Sequence, residues 1–299
     1  MSLYHSLLLI SLLCMYMTGS LVECTCMLAI LRRTDWKSKS GYILILSLGL
    51  TDFLVCLVNQ ISCFFALLGV DLGAVRYLLG FIDNAAWAGM VVHIAVLAVN
   101  RFVAVVLYLQ YDRLCSPRNT VKVVLVMWLV SVGCSLPSFF FGYPVVFEPN
   151  LGVSTYDMSV NATYPQAQIT VNAALHVINV FVAPGLYLIV FVKLLLRSIT
   201  GNASNSSVDI SMCIQFLLVT VVSVAAALSW EMLGLWGFEY WFLVSYLTAL
   251  NATINGYIYL AFGPSIRTAV KQLWRPTEQP KPTTTRVARS VLVKPAPTH

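Results

Sequence analysis

Seventeen of the eighteen Lys and Arg residues in this chain fall at every second junction between long apolar runs. Seven stretches meet the requirement of about 20 apolar residues for a helical membrane span. They are Ser6 to Leu31, Gly41 to Gly69, Tyr77 to Leu107, Val123 to Phe141, Ile169 to Leu196, Ser211 to Trp236 and Trp241 to Phe262. Arg32, Arg33, Lys37 and Lys39 follow the first run, and Arg101, Arg113, Arg118 and Lys122 surround the exit of the third. Lys193 and Arg197 close the fifth, the remaining inner-side cations lie beyond the seventh, and Arg76 alone sits on the other side. Cytoplasmic loops concentrate Lys and Arg. The pattern therefore predicts an all-α, seven-transmembrane helix bundle, multi-pass in the plasma membrane, with its N-terminus outside.

Composition excludes a separate soluble domain, because 59% of residues are hydrophobic and 10% charged, against about 45 to 50% and 25% in soluble domains. The net charge of +6 belongs to the cytoplasmic side, where basic residues favour anionic lipid. Membrane lipids, and no nucleic acid, are the partners this implies. The N-terminal run lacks a basic leader and continues to Arg32 and Arg33, so it reads as a span and not as a cleaved signal. None of the eight cysteines falls in an outer loop, so no bridge is indicated. Cys24 and Cys26 point to different helix faces, which does not suit a metal.

The longest outer connection, Gly142 to Gln168, carries the sequon Asn161-Ala162-Thr163, a candidate glycosylation site. Three domains are expected: residues 1–263 as the membrane bundle, 264–275 as an amphipathic cytoplasmic helix, and 276–299 as a disordered cytoplasmic tail. The helix is read from Ile266, Ala269, Val270, Leu273 and Trp274 recurring at helical spacing opposite Arg267, Lys271 and Arg275, a pattern suited to the inner leaflet.

Ionisable groups inside a membrane are costly and mark functional candidates. Glu23, Asp52, Asp83 and Glu231 are the acids within the spans, with His93, His176 and several amides beside them. Asp83 and Arg101 are eighteen residues apart, five whole turns and about 27 Å along one helix face. One helix can thus present an acid to the outside and a guanidinium to the cytoplasm. Arg101 reads equally as a snorkelling end-of-span anchor. Asp52 and Glu23 lie too deep to snorkel and are expected to meet Asn251 and Asn255 of the seventh span, with Ser47 about a turn and a half from Asp52. Like-charge repulsion would keep one of the two acids protonated if they approach closely. An outer small-molecule pocket is expected from Asp83, Trp87, Asn172, His176, Trp230 and Tyr246, which combine apolar walls with a few polar handles. The competing reading pairs Asp83 with Arg76 as a cap on the bundle.

The run Asn100-Arg101-Phe102-Val103-Ala104-Val105, with Tyr111 and Ser116 after it, resembles rhodopsin-like G-protein-coupled receptors, and within them nematode chemosensory receptors of serpentine class x. Asn255-Gly256-Tyr257-Ile258-Tyr259 resembles their last span; Asp52, Trp128, Pro137 and Pro184 match spans two, four and five. The resemblance implies a chemosensory receptor for an extracellular small molecule that activates a heterotrimeric G protein. It implies that Arg101 faces the G protein, that Asp52, Asn251 and Asn255 form a mid-membrane switch, and that Tyr259 rearranges on activation. Several positions depart from the pattern. Asn100 stands where an acid is usual beside the arginine, Met232 and Gly256 where prolines are usual, Glu23 where span one usually has Asn, and Arg76 where an outer-loop cysteine is usual. A non-signalling partner or trafficking subunit, and a channel or transporter, are the alternative functions. The latter would need a continuous polar stripe or broken helices. No paired nucleophile and base is present, so no enzyme is expected, and no cofactor or metal.

Overall fold

Long apolar helices separated by short connections leave the chain little choice but to run back and forth. In the computed structural model, which describes residues 3–140, 144–156, 166–199, 206–236 and 240–274, it does so seven times. The first three spans are α1 (Leu3–Leu31), α2 (Ser40–Leu67) and α3 (Val75–Val106). A short turn, α4 (Tyr111–Leu114), precedes the fourth span, α5 (Pro117–Phe140). The fifth span is α6 (Gln166–Val177), a π turn over Ile178–Val182, and α7 (Ala183–Ile199). The sixth and seventh are α8 (Ser206–Trp236) and α9 (Trp241–Phe262), and α10 (Pro264–Trp274) follows.

Five of these described spans are long and apolar enough to cross a membrane by length and composition, and α8 holds a shorter apolar stretch, Leu217–Trp230. The seventh helix falls outside that set because it carries Asn251, Thr253 and Asn255, all buried. Large side chains such as Leu125, Leu129, Leu188 and Ile189 are exposed on the outside of the bundle. So much exposed apolar surface is rare on soluble monomers and suits a lipid environment.

Several boundaries differ from the sequence reading. The fourth helix starts at Pro117, six residues earlier than the apolar run. Proline lacks the N–H that a first helical position leaves unused, so it starts helices well, and polarity does not prevent helix formation beyond the bilayer. The π turn ends two residues before Pro184, whose missing N–H breaks the regular ladder; a one-turn widening accommodates that loss.

The fold is not wholly helical. The connection after α5 holds an antiparallel hairpin of β1 (Val145–Glu148) and β2 (Val153–Tyr156), with Val145 opposite Tyr156 and Glu148 opposite Val153. The sequence reading leaves this segment as a loop, although Val145-Val146-Phe147 and Val153 carry β-branched and aromatic residues around the turn residues Pro149, Asn150 and Gly152. The end of the bundle carrying the hairpin is termed outer, and the opposite end inner. Gly152 turns with φ 67°, the left-handed region open to glycine. Val145, Val146 and Val153 are buried under the hairpin, and Ser245 of α9 donates to the Leu151 carbonyl.

At the inner end, Asp35 braces the connection between α1 and α2. Arg33 Nε lies 2.9 Å from one of its oxygens and Lys39 Nζ 2.8 Å from the other. The Arg33 guanidinium, then Lys39, holds this carboxyl well below the usual carboxylate range. The brace is therefore present near neutral pH and is lost only as pH falls through that lowered value. The amphipathic α10 turns much of its apolar side to protein, with Ile266 and Ala269 buried and Val270 packed on the same core, while Trp274 is exposed. The sequence pattern alone suggests lipid for all five apolar residues, because a helical stripe does not say which apolar surface covers it.

Candidate functional site

The acid of the third span is held by neutral donors. Asp83, 8% exposed, accepts a 2.8 Å hydrogen bond from Asn59 Nδ2 and another from the Ser154 hydroxyl of β2. Asn59 and Asp83 lie on facing helices because α2 and α3 pack along their length. Arg76 instead donates to the Tyr77 hydroxyl at 2.7 Å and stacks on the same ring, its guanidinium carbon 4.8 Å from the centroid. The capping pair between Asp83 and Arg76 is therefore not formed. Side chains seven apart share a face only loosely, and an adjacent aromatic ring is closer.

Asp83 opens onto a cavity of about 270 Å³ that Trp87, Asn172, His176 and Trp230 also line. The Trp87 and His176 rings lie 5.8 Å apart at 53°, and Trp230 donates to Thr248 at 3.2 Å. Five of the six residues expected from sequence thus share one cavity. The sixth, Tyr246, does not line it; its hydroxyl meets Ser11 of α1. Two helical positions turn the side chain by about 200°, so Thr248 faces the cavity where Tyr246 faces α1. The hairpin contributes Val145, Val153, Ser154 and Thr155 as a roof, and those residues were not legible as site residues because nothing local ties a loop to a helix far along the chain.

A narrow cleft of about 20 Å³ continues inward between Trp87 and Trp230 and ends at Asn251. There the mid-membrane cluster begins. Asn255 Nδ2 donates to Asp52 Oδ2 at 2.6 Å, and Asn251 Nδ2 reaches Met90 Sδ at 3.6 Å. Asp52 and Asn255 are fully buried, and Glu23 is 1% exposed. Asn255 reaches Asp52 as expected, whereas Asn251 bonds elsewhere. Ser47 bonds outside this cluster. It bonds His93 Nε2 at 2.6 Å and accepts from Trp128 Nε1 at 3.0 Å, while His93 Nδ1 bonds the Gly89 carbonyl at 2.6 Å. That network pins α2, α3 and α5 together. A turn and a half of helix rotates Ser47 away from Asp52 and toward α3.

Gly256 has a specific reason to be glycine. A Cβ placed there would lie 2.8 Å from Glu23 Oε1 and 2.9 Å from Val22 Cγ1, and one at Gly49 would lie 3.2 Å from Glu23 Oε2. The two glycines therefore form a cradle for the Glu23 carboxyl between α2 and α9. Two of the departures noted in the sequence, Glu23 and Gly256, are one packing solution. Tyr259, one turn further along α9, is 1% exposed beneath the same cluster.

At the inner end a larger cavity of about 580 Å³ is lined by Arg101, with Lys39, Ser40, Tyr111, Gln215 and Ser265 among its walls. Asn100, beside the arginine in sequence, is buried. Arg197 ties the fifth span to this end of α3 by donating to the Val105 carbonyl at 3.1 Å. Within the fifth and sixth spans, Ser223 donates to Asn179 Oδ1 at 2.8 Å across the π turn. The sequon at Asn161, the acid Glu231 and the tail from residue 275 lie outside what is described, as side chain or as backbone. No cluster of metal-ligating side chains occurs among the described residues.

Comparison with known proteins gives this geometry a family. The profile of the serpentine-type seven-transmembrane G-protein-coupled chemoreceptors Srt matches residues 7–283. The melatonin receptor type 1B-B of Danio rerio is 25% identical over 282 residues, covering 87% of this chain and 80% of its own length. The melatonin receptor type 1B of Gallus gallus is 25% identical over 259 residues, covering 79% and 88%. The crystal structure of squid rhodopsin superposes with a TM-score of 0.67 at 14% identity, over 90% of this chain and 85% of that one. The resemblance read from sequence, a rhodopsin-like serpentine chemoreceptor, agrees with these matches; the class that matches is Srt where the motifs suggest class x.

Proposed function

Since the chain belongs to the serpentine-type seven-transmembrane G-protein-coupled chemoreceptor family Srt, we propose that it senses a small extracellular molecule in the hairpin-covered cavity and activates a heterotrimeric G protein through the cavity at Arg101. It is a multi-pass membrane receptor and not an enzyme, and its role is chemosensory. The observation that carries the proposal is that α3 lines both cavities, with Asp83 and Trp87 at one end and Arg101 five turns away. A ligand that shifts α3 against its neighbours changes both sites together, since packed helices move as rigid bodies. The cleft from Trp230 to Asn251 offers a second link, running to the Asp52 and Asn255 pair and on to Tyr259.

Cavity size favours a ligand with few heavy atoms, because small-molecule pockets commonly span about 300 to 1,000 Å³. Asp83 beside Trp87 favours a cation, through charge and through attraction to the ring face. A panel of small amines and their uncharged isosteres, read by cAMP and calcium in cells expressing the receptor, tests this. Asp83→Asn is expected to raise the half-maximal concentration of a cationic agonist at least about tenfold, a loss of about 1.4 kcal/mol. An unshifted dose response would remove charge recognition from Asp83. Silence of every readout across a broad panel, with the receptor at the surface, would favour a non-signalling partner subunit.

The plasma membrane is the proposed location, with an outer N-terminus, α10 on the inner leaflet from residue 264 to 275, a cytoplasmic tail beyond it, and Asn161 available for glycosylation. Epitope tags at both ends check the orientation: the N-terminal tag is expected to stain in intact cells and the C-terminal tag only after permeabilisation. Staining of the C-terminal tag in intact cells would reverse the assignment.

A further inference from the structure

The hairpin has a cavity on each side. Successive residues of a strand point to opposite faces, and Val145 of β1 lines the cavity at Asp83 while Val146 and Glu148 line a second one of about 360 Å³. The second cavity is walled elsewhere by the end of α2, through Ser62 and Phe65, and by the connection to α3, through Asp71 and Arg76. The two cavities share no lining residue.

Its acids are only partly matched. Asp71 Oδ1 accepts from the Gly73 N–H at 2.9 Å, and Glu148 Oε1 accepts from the backbone and side-chain nitrogens of Asn150 at 3.3 and 2.9 Å. Among the described residues the second oxygen of each carboxylate has no donor, and neither acid joins an ion pair. Arg76, the cation in the lining, stacks on Tyr77 and donates to its hydroxyl.

A buried hydroxyl points to a ligand independently. Ser62 is 4% exposed and lines the cavity from within α2. Buried serines such as Ser131 and Ser135 bond a carbonyl one turn back, whereas the Ser62 hydroxyl makes no hydrogen bond among the described residues. Packing does not seal its oxygen off, so it is presented to the cavity. A buried polar group without a partner is costly, and an occupant that donates to it removes that cost.

We propose that this cavity binds a small organic ammonium ion. A primary ammonium carries three N–H donors, and the second oxygens of Asp71 and Glu148 with the Ser62 hydroxyl offer three acceptors from three elements. Phe65, Val146 and Phe147 supply an apolar wall for the rest of the molecule, and the volume suits a small ligand. The site stands apart from the cavity at Asp83 and does not depend on what that cavity binds.

The test is equilibrium binding of radiolabelled benzylamine to the full-length receptor in maltoside micelles, a detergent with no ammonium headgroup to compete. The parent protein carries Asp83→Asn, which removes the carboxylate of the other cavity, so failure here leaves the reading of that cavity untouched. Saturable binding is expected, displaced by unlabelled benzylamine and not by benzyl alcohol or benzoate. Asp71→Asn with Glu148→Gln, which remove charge but keep the oxygens that accept from Gly73 and Asn150, are together expected to raise the half-saturating concentration at least about tenfold. Ser62→Ala, which keeps both charges, is expected to raise it about threefold or more. Absence of saturable binding, binding indifferent to the loss of the two charges, or equal displacement by benzoate overturns the site. So does binding that falls with the two charges but is unchanged in Ser62→Ala, which would reduce it to attraction at an acidic surface.

Discussion

Arg101→Ala is expected to abolish G-protein activation while leaving about as much receptor at the cell surface as the wild type. The side chain is half-buried at the inner end of α3 and lines the larger cavity instead of filling the core, which runs through its neighbours Leu97 and Ala98. Its loss therefore creates no void among packed groups, and the large cost of core truncation does not apply. What is lost is a cation facing the inner cavity. In most rhodopsin-like receptors the neighbouring residue is an acid, but here it is Asn100, which is buried. The measurement is agonist-independent and agonist-driven cAMP or calcium signalling at matched surface expression. Unchanged signalling would make Arg101 the snorkelling anchor that its position also permits.

Arg101 illustrates what was legible in the sequence and why. Helical periodicity fixes which residues of one span share a face, so the placement of Asp83, Trp87 and Arg101 along α3 follows from spacing alone. The apolar runs likewise count the spans, while the basic residues between them bear on orientation. Pairings between spans follow less directly. Asp52 meeting Asn255 was reachable because both are polar groups at one depth, and each needs a partner there. Ser47, about a turn and a half from Asp52, shows what spacing leaves open: its partners are His93 and Trp128, on two other helices. Tyr246 failed on rotation. The hairpin was harder still, since its short strands gain their burial from α3 and α9, and no local pattern announces a roof over a distant helix. Glu23 and Gly256 looked like two unrelated departures until packing brought a carboxyl against the one residue that leaves it room.

Gly80→Ala is expected to cost the receptor most of its sensitivity to agonist. A Cβ built on Gly80 would overlap the carbonyl oxygen of Val145. That atom is backbone, so no rotamer change relieves the contact; either α3 or the hairpin must move. α3 is gripped along its length by α2 and α5, whereas the hairpin consists of two four-residue strands. Isolated hairpins of that size are marginal in water, and overpacking costs about 1 to 3 kcal/mol, enough to lift β1 off the helix. Lifting it removes the roof formed by Val145, Val153 and Thr155 and withdraws the Ser154 hydroxyl from Asp83. Surface expression is expected to stay near wild type, because the bundle core lies below the hairpin, while the half-maximal agonist concentration rises by about tenfold or more, 1.4 kcal/mol or greater. Gly133→Ala is the matched control, since a Cβ there meets nothing within 4 Å. The change at Gly80 and Asp83→Asn disturb one pocket, so their effects are expected to combine to less than the sum. Wild-type potency in Gly80→Ala would show that the hairpin is not part of the ligand site, and a strictly additive double variant would separate its docking from recognition at Asp83.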